Sequence, residues 1–125
     1  MVMRVRRMKS ALTRIYYLDT NICIFYMRNP KGILADRINA INPERIKIHA
    51  IVKAELLVGA EKSKRREDTL IETLVFLMPY EIVPFDDSMT QTYAQIRATL
   101  ERKGQKIGWN DTIIAATALA KMQYS

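Results

Sequence analysis

The sequence is poor in the side chains that bind soft metal ions. Its 125 residues include one cysteine, Cys23, and one histidine, His49. A disulfide within the chain is therefore excluded, and so is a zinc site built from thiolates and imidazoles, which needs about four such ligands. Any metal ion that this chain binds must be held by oxygen atoms.

Long apolar runs are also missing. No stretch approaches the roughly 18 to 20 apolar residues that cross a membrane, and residues 1–14 lack the apolar middle of a secretory signal. We therefore expect a cytoplasmic protein that spans no membrane. With 125 residues, 49% of them hydrophobic, the chain suits a single compact domain.

The net charge of +7 is concentrated at the start of the chain. Residues 1–14 contain five basic residues and no acidic one, and we predict that they form a flexible basic leader. A second basic cluster comprises Lys62, Lys64, Arg65 and Arg66. These charges permit a nucleic-acid partner, although a solvated loop and a flexible tail also account for them.

Strand-like and helix-like patterns alternate along the chain. Apolar runs at residues 15–18, 45–50 and 80–85 predict three strands, and apolar residues at helical spacing predict helices between and after them. Such alternation is typical of a parallel sheet covered by helices. We expect a three-layer α/β/α sandwich with a small parallel sheet, whose functional crevice lies beyond the carboxyl ends of its strands.

Polar residues near the predicted helix starts indicate caps. Thr20 or Asn21 can cap the first helix, and Asn110 can cap the last one. Ser88 and Gln91 have the spacing of a capping box. The last helix is apolar nearly all round, so we predict that it is buried.

Three carboxylates stand where the pattern predicts burial. Asp19 follows the first strand, Glu55 shares a helical stripe with Ile51 and Val58, and Asp111 opens the apolar last helix. An isolated buried carboxylate is costly unless it takes up a proton or a cation compensates its charge. We therefore predict that the three carboxylates converge on a cation.

Oxygen ligands favour Mg²⁺ as this cation, with Mn²⁺ as a substitute. Such an ion can polarise a phosphodiester and lower the pKa of bound water, so phosphodiester hydrolysis is the predicted reaction. Each carboxylate also has an explanation without metal. Asp19 could start a turn or helix, Asp111 could interact with the helix dipole, and Glu55 could reach solvent or pair with Lys53.

Three further residues have structural explanations. We expect His49, at the end of a short strand, to be a partly buried and hydrogen-bonded imidazole rather than a general base. Cys23 is expected in the core. Trp109 is expected in the packing or at the rim of the site rather than as a platform for base stacking.

Three segments of the chain form a characteristic set when they are taken in order. They read "YLDTNICIFYM", "KAELLVGAEKS" and "FDDSMTQTYAQIRATLERKGQKIGWNDTIIAATALA". Together they resemble the PIN-domain ribonucleases, particularly the VapC-type toxins of toxin–antitoxin pairs, over about residues 15–120. The resemblance implies that Mg²⁺ is bound by Asp19, Glu55 and Asp111.

The resemblance also implies auxiliary residues and partners. Thr20 and Asn21 would shape the site through polar contacts, and Asp86 would be at most an auxiliary acid. The family's behaviour implies cleavage of RNA, homodimerisation and neutralisation by a VapB-type antitoxin. The basic residues 62–66 are candidates for holding RNA phosphates.

Two alternatives remain open at this point. Family members usually continue beyond the last helix into another strand, whereas this sequence ends at Ser125, so we expect a PIN-like domain over residues 15–125 that is short at its C-terminus. A catalytically degenerate toxin that only dimerises or binds an antitoxin is therefore one alternative. A receiver-like phosphoacceptor domain is the other, although it would carry paired acids where this chain has Asp19, Thr20 and Asn21.

Overall fold

A computed structural model of the chain describes the backbone of residues 14–124 and the side chains of residues 14–119. The predicted basic leader therefore lies outside the described residues, except for Arg14. No helix within the described range is long and apolar enough to span a membrane.

Three short strands alternate with six α-helices along the described residues. The strands are β1 (Tyr16–Tyr17), β2 (Ile46–His49) and β3 (Glu81–Val83). The helices are α1 (Thr20–Arg28), α2 (Ile33–Asn39), α3 (Ala50–Lys62), α4 (Arg66–Leu77), α5 (Thr90–Arg102) and α6 (Trp109–Tyr124). Short 3₁₀ turns at Pro43–Arg45 and Asp87–Met89 precede β2 and α5.

The three strands form one parallel sheet with β2 in the middle. Tyr16 lies opposite Ile46, and His49 lies opposite Val83. Because the strands run in the same direction, their carboxyl ends lie at one edge of the sheet, where loops can form a crevice. The predicted α/β class with a small parallel sheet is confirmed.

The core surrounds the central strand. Ile46 and Ile48 of β2 are fully buried, in one cluster with Cys23 of α1 and Val52 of α3. The expected core position of Cys23 is thus confirmed. Burial, with a smaller contribution from the nearby charge of Asp19, raises the pKa of the Cys23 thiol to about 12. The thiol therefore stays neutral and unreactive at physiological pH.

Helix α3 faces the core with a different stripe from the predicted one. Its buried residues are Val52, Leu56 and Ala60, each four positions after the last. Val58, which was predicted to face the core beside Glu55, is 52% exposed. This rotation of the helix places Glu55 at the flank of the core-facing stripe, where its side chain is half-buried.

The cap of α1 is Asp19, so the prediction of Thr20 or Asn21 was wrong. The Oδ1 atom of Asp19 accepts a hydrogen bond of 2.8 Å from the backbone nitrogen of Ile22. Because Asp19 has extended backbone angles directly after β1, its carboxylate can reach back over the first turn. Thr20 and Asn21 instead become the first two residues of the helix.

The other predicted caps were also wrong. Ser88 and Gln91 form no capping box, since a 3₁₀ turn capped by Asp86 intervenes and α5 starts only at Thr90. Asn110 lies inside the first turn of α6 rather than before it.

Over residues 109–119, whose side chains are described, the last helix is buried on one face only. Its buried residues include Thr112, Ala116 and Thr117, whereas Leu119 is 45% exposed. Small side chains and threonines give α6 a narrow packing face, and the prediction of an entirely buried helix was wrong.

Candidate active site

A polar cavity of about 340 Å³ lies beyond the carboxyl end of β1. The three predicted carboxylates line it together. The complete lining consists of Asp19, Thr20, Asn21, Glu55, Gly108, Trp109, Asn110 and Asp111. The starts of α1 and α6 and the middle of α3 therefore supply all its walls. We call this space the carboxylate cavity.

Asp19 reaches the cavity because β1 delivers the chain to its edge. The backbone nitrogen of Leu18 still bonds to the carbonyl of Lys47 at 3.3 Å, so the sheet ladder continues to the residue before Asp19. One carboxylate oxygen of Asp19 caps α1. The other, Oδ2, accepts no hydrogen bond within the described part of the chain and remains available to a ligand.

Glu55 is held from two directions. Its Oε2 accepts a hydrogen bond of 3.0 Å from the hydroxyl of Thr20, and its Oε1 accepts one of 2.5 Å from Nδ2 of Asn110. Thr20 opens α1 and Asn110 lies in the first turn of α6. The glutamate of α3 therefore connects the three helices that surround the cavity.

The start of α6 is anchored beneath Asp111. The backbone nitrogen and the hydroxyl of Thr112 both donate to the carbonyl of Gly108, at 3.1 and 3.0 Å, and Thr112 is buried. Asp111 is exposed. Its Oδ2 lies close to Gly108: a β-carbon built on that glycine would be 4.0 Å away from the oxygen. Within the described residues its carboxylate has no hydrogen bond or ion pair.

The three carboxylates are not buried in apolar surroundings, as the sequence had suggested. Asp19 and Glu55 are half-buried, and Asp111 is exposed. The carboxylates line an open, water-accessible crevice, so desolvation is not what would draw a cation to them. The negative charge of three carboxylates that line one cavity, with no lysine or arginine among the lining residues, would attract a cation instead.

The chemistry of the donors fits a hard divalent cation. Carboxylates, a hydroxyl and side-chain amides are the oxygen ligands that Mg²⁺ and Mn²⁺ prefer. In addition, Oδ1 of Asn110 is buried without a hydrogen-bond partner among the described residues. Each carboxylate offers about four acceptor positions, so Glu55 can keep its two hydrogen bonds and still bind a metal.

The spacing of these donors is looser than a metal site requires. Among the described residues, no three Asp, Glu, His or Cys side chains stand close enough to hold one ion together. Binding would therefore draw the side chains inward. Asp19 and Asp111 each have an oxygen without a hydrogen bond within the described residues, which leaves them free to make that movement.

Two other candidates lie outside the carboxylate cavity. Asp86 caps the 3₁₀ turn through a 3.0 Å hydrogen bond from the backbone nitrogen of Ser88, which accounts for it structurally. His49 is 2% exposed, and its Nδ1 accepts a hydrogen bond of 3.0 Å from the nitrogen of Ile51.

The environment of His49 is only partly as predicted. Its Nε2 is buried without a hydrogen-bond partner in the described residues, so the imidazole is half satisfied. Burial lowers the pKa of His49. The side chain is therefore neutral at physiological pH, but it is buried and does not line the carboxylate cavity, so it is not placed to act as a general base there.

The four basic residues at the α3–α4 connection differ in their partners. Arg66 pairs with Glu61 through two hydrogen bonds of 2.7 and 2.8 Å, and Arg65 contacts Asp68 at 3.2 Å. Within the described residues, Lys62 and Lys64 have no such partner. The lysines are thus the more available contacts for a phosphate.

Sequence reasoning missed Gly108 and Asn110 as residues of the cavity lining, whereas Trp109, which had been expected in the packing or at the rim, does line the cavity. Asn110 had been assigned to a helix cap, although it binds Glu55. The available signal was the pair Asn110 and Asp111 at a helix start, where adjacent side chains can point toward the same crevice.

Comparisons with known proteins identify the family of this chain. The family model for the PIN domain matches residues 16–122. Ribonuclease VapC2 of Rickettsia felis is 38% identical over 108 residues, which cover 86% of this chain and 81% of the relative. The tRNA(fMet)-specific endonuclease VapC of Salmonella typhimurium is 38% identical over 82% of this chain and 77% of its own.

Solved structures agree as well. The VapBC2 complex of Rickettsia felis bound to a promoter DNA fragment contains a chain with a TM-score of 0.80 and 36% identity, covering 86% of this chain and 81% of that one. VapBC-1 of nontypeable Haemophilus influenzae gives a TM-score of 0.73 at 31% identity, covering 85% and 80%. A receiver-like domain is therefore the wrong alternative. The chain belongs to the PIN-domain family and, within it, to the VapC ribonucleases.

Proposed function

We propose that this protein is a Mg²⁺-dependent endoribonuclease and the toxin of a toxin–antitoxin pair. The observation that carries the proposal is the carboxylate cavity, where Asp19, Glu55 and Asp111 meet without a neighbouring basic residue. The names of the relatives, which include ribonucleases and a tRNA-specific endonuclease, support RNA as the substrate.

In this proposal the three carboxylates hold Mg²⁺, with Mn²⁺ as a substitute. When bound by these residues, the cation would supply charge neutralisation at the phosphodiester and a lowered pKa for a water molecule. Thr20 and Asn110 keep the Glu55 carboxylate oriented through the hydrogen bonds that they donate. Such outer contacts normally tune both metal affinity and activity.

Two parts of the surface offer polar side chains to the substrate: Asn21 at the cavity wall and the basic cluster of residues 62–66. Asn21 is exposed at the cavity wall, and within the described residues its amide makes no hydrogen bond, so it can donate to a phosphate or a ribose hydroxyl. Lys62 follows Glu55 by seven residues on α3, about 10 Å along the helix axis. Lys62 and Lys64 can therefore hold phosphates further along the strand, with Arg65 and Arg66 as weaker contacts.

The proposed partners are a VapB-type antitoxin and a second copy of the chain. Neighbouring solved structures are VapBC complexes, which supports the antitoxin. Helix α4 and the residue that follows it also expose large apolar side chains that a protein partner would cover, namely Ile71 (61%), Val75 (58%) and Met78 (77%). We place the protein in the cytoplasm because its RNA substrates are there.

The test is RNA cleavage by the purified protein in Mg²⁺, in EDTA and with Mn²⁺ added back. Asp19→Asn and Asp111→Asn should each reduce cleavage by more than the roughly 10- to 100-fold that loss of an outer contact costs. Asp36→Asn, on the exposed side of α2, is the matched control and should cleave like wild type. Cleavage that resists EDTA, or survives either site substitution, contradicts the proposal.

One observation favours a second candidate, the degenerate toxin that binds an antitoxin without cutting RNA. The carboxylates are too far apart to hold one ion as they stand, and both oxygens of Glu55 already accept hydrogen bonds. This candidate predicts that wild-type protein cuts no RNA in either Mg²⁺ or Mn²⁺ yet still binds an antitoxin.

A further inference from the structure

The rim of the carboxylate cavity carries an aromatic side chain that the proposed chemistry does not use. Trp109 is the first residue of α6, lines the cavity and is 56% exposed. Within residues 14–119 its indole stacks on no other aromatic ring and makes no hydrogen bond. A large apolar surface therefore stands in solvent beside three carboxylates.

The backbone beside Trp109 is fixed. Arg97 donates a hydrogen bond of 2.8 Å from its guanidinium to the carbonyl of Ile107, and Thr112 holds the carbonyl of Gly108. The indole is thus presented from an anchored helix start. An exposed aromatic on a rigid support loses little conformational entropy when a flat ligand binds to it.

A second cavity adjoins this rim. It has a volume of about 440 Å³ and shares Gly108 with the carboxylate cavity. Its walls include Arg97, which is committed to Glu101 at 3.1 Å, and Lys106, which has no ion-pair partner in the described part of the chain. The carboxylates and Trp109 therefore lie on one side of Gly108, and the basic residues Arg97 and Lys106 lie on the other side.

We propose that Trp109 stacks on an unpaired nucleobase next to the scissile phosphate, while Lys106 holds the phosphate that follows it. The inference rests on the proposed function, since it takes the carboxylate cavity as the place of the scissile phosphate. An indole face accepts any base, provided that the base is unstacked from its neighbours. The preferred substrate is then RNA with an unpaired nucleotide at the cut.

Trp109 is the single tryptophan of the chain, so its fluorescence reports on this contact directly. The probe is a short single-stranded RNA in Mg²⁺ buffer, and the protein in these binding experiments carries Asp19→Asn, which should prevent cleavage under the proposed mechanism. We expect saturable quenching of the fluorescence by the single strand and little quenching by the same sequence as a duplex. No quenching, or equal quenching by both, overturns the inference.

Variants give a second readout through the anisotropy of a labelled probe. Trp109→Leu should weaken binding by about 5- to 150-fold, the range expected for loss of one base–aromatic stack, and Trp109→Phe should restore much of it. Phe25→Leu is the matched control, because Phe25 is 54% exposed on α1 and does not line the cavity. Lys106→Gln should reduce the slope of log K against log salt by about 0.7.

The outcomes separate this inference from the proposed function. Unchanged RNA binding by Trp109→Leu, with normal cleavage by wild type, overturns the stacking contact alone. Weakened binding of an antitoxin peptide, with RNA binding unchanged, assigns Trp109 to a protein contact and also overturns it. Absence of cleavage by wild type overturns the proposed function instead.

Discussion

Asn110 donates a hydrogen bond from Nδ2 to Oε1 of Glu55, joining positions that are 55 residues apart in the chain. The contact fixes the only glutamate of the carboxylate cavity and leaves Oδ1 of Asn110 buried and unpaired within the described residues. The amide of Asn110 is uncharged, so it does not neutralise the charge of any carboxylate in the cavity. It orients Glu55 while preserving the negative charge that a divalent cation needs.

Replacing that amide with an acid tests the electrostatics of the cavity. Asn110→Asp removes the donor and adds a like charge, so the free energy of unfolding in EDTA should fall by about 1 to 3 kcal/mol. Mg²⁺ should restore more stability to the variant than it adds to wild type. Urea unfolding with and without Mg²⁺ measures both effects.

The control for this substitution is Asn42→Asp. Asn42 is exposed and caps the turn before β2, a position that Asp serves equally well. If Asn110→Asp were as stable as wild type in EDTA, the cavity would tolerate a further negative charge, and the prediction would be wrong.

The hydroxyl of Thr20 should matter for activity more than for stability. Thr20→Val keeps the shape of the side chain but removes the 3.0 Å hydrogen bond to Glu55, and we expect kcat to fall by about 10- to 100-fold. Thr20→Ser keeps the donor and should behave like wild type. Equal activity of the valine and serine variants would mean that orientation of Glu55 is unimportant.

His49 should make the fold sensitive to mild acid. Burial lowers its pKa in the folded state below the unfolded value of about 6.5, so the unfolded chain binds the extra proton more readily. Stability is then fully present above about pH 6.5 and falls as the pH drops below it, by at most about 1.4 kcal/mol per pH unit. Urea unfolding between pH 7.5 and 5 measures the slope.

His49→Asn is the informative variant for this effect. The Asn oxygen can accept the hydrogen bond that Ile51 now donates to Nδ1, but it cannot titrate. Because His49 is the sole histidine, the variant should lose the dependence on pH in this range. An unchanged slope would assign the titration to another group.

Asp86 should contribute to stability and not to catalysis. Asp86→Ala removes the cap of the 3₁₀ turn and should lower the free energy of unfolding by about 1 kcal/mol. Cleavage by the folded variant should match wild type, because Asp86 does not line the carboxylate cavity. A loss of activity comparable to that of Asp19→Asn would return Asp86 to the site.

The basic cluster should divide into two pairs. Lys62→Gln with Lys64→Gln should weaken binding of single-stranded RNA and reduce the salt slope by about 1.4, or two phosphate contacts. Arg65→Gln with Arg66→Gln should have a smaller effect, since both guanidinium groups already contact carboxylates. A larger loss of RNA binding from the arginine substitutions than from the lysine substitutions would mean that RNA displaces these ion pairs.

Sequence reasoning predicted that the three carboxylates come together, and they line one cavity, but one of its reasons was mistaken. Asp19 could be predicted because a carboxylate directly after a buried strand of a parallel sheet must lie at its carboxyl edge. Glu55 was predicted from an apolar stripe that the structure does not contain, since α3 packs through Val52, Leu56 and Ala60. The order of strands and helices was correct, and the orientation of one helix was not.

The contacts between distant segments could not be predicted from local patterns. Whether Asn110 caps its own helix or binds Glu55 depends on how α3 and α6 pack, which no spacing within either helix specifies. The surroundings of Trp109 could not be predicted either, because the two cavities that share Gly108 form only in the folded structure. Local rules also left the cap of α1 undecided, because Asp19, Thr20 and Asn21 are all residue types that can serve, and the prediction chose Thr20 or Asn21.

The central claim is that Asp19, Glu55 and Asp111 together form one binding site for a divalent cation. Titration of the protein with Mn²⁺, with free ion followed by electron paramagnetic resonance, tests it without RNA. We expect saturable binding of Mn²⁺ that Mg²⁺ displaces and that Asp19→Asn, Glu55→Gln and Asp111→Asn each weaken severely. Binding of Mn²⁺ that is equally strong in wild type and all three variants would contradict it.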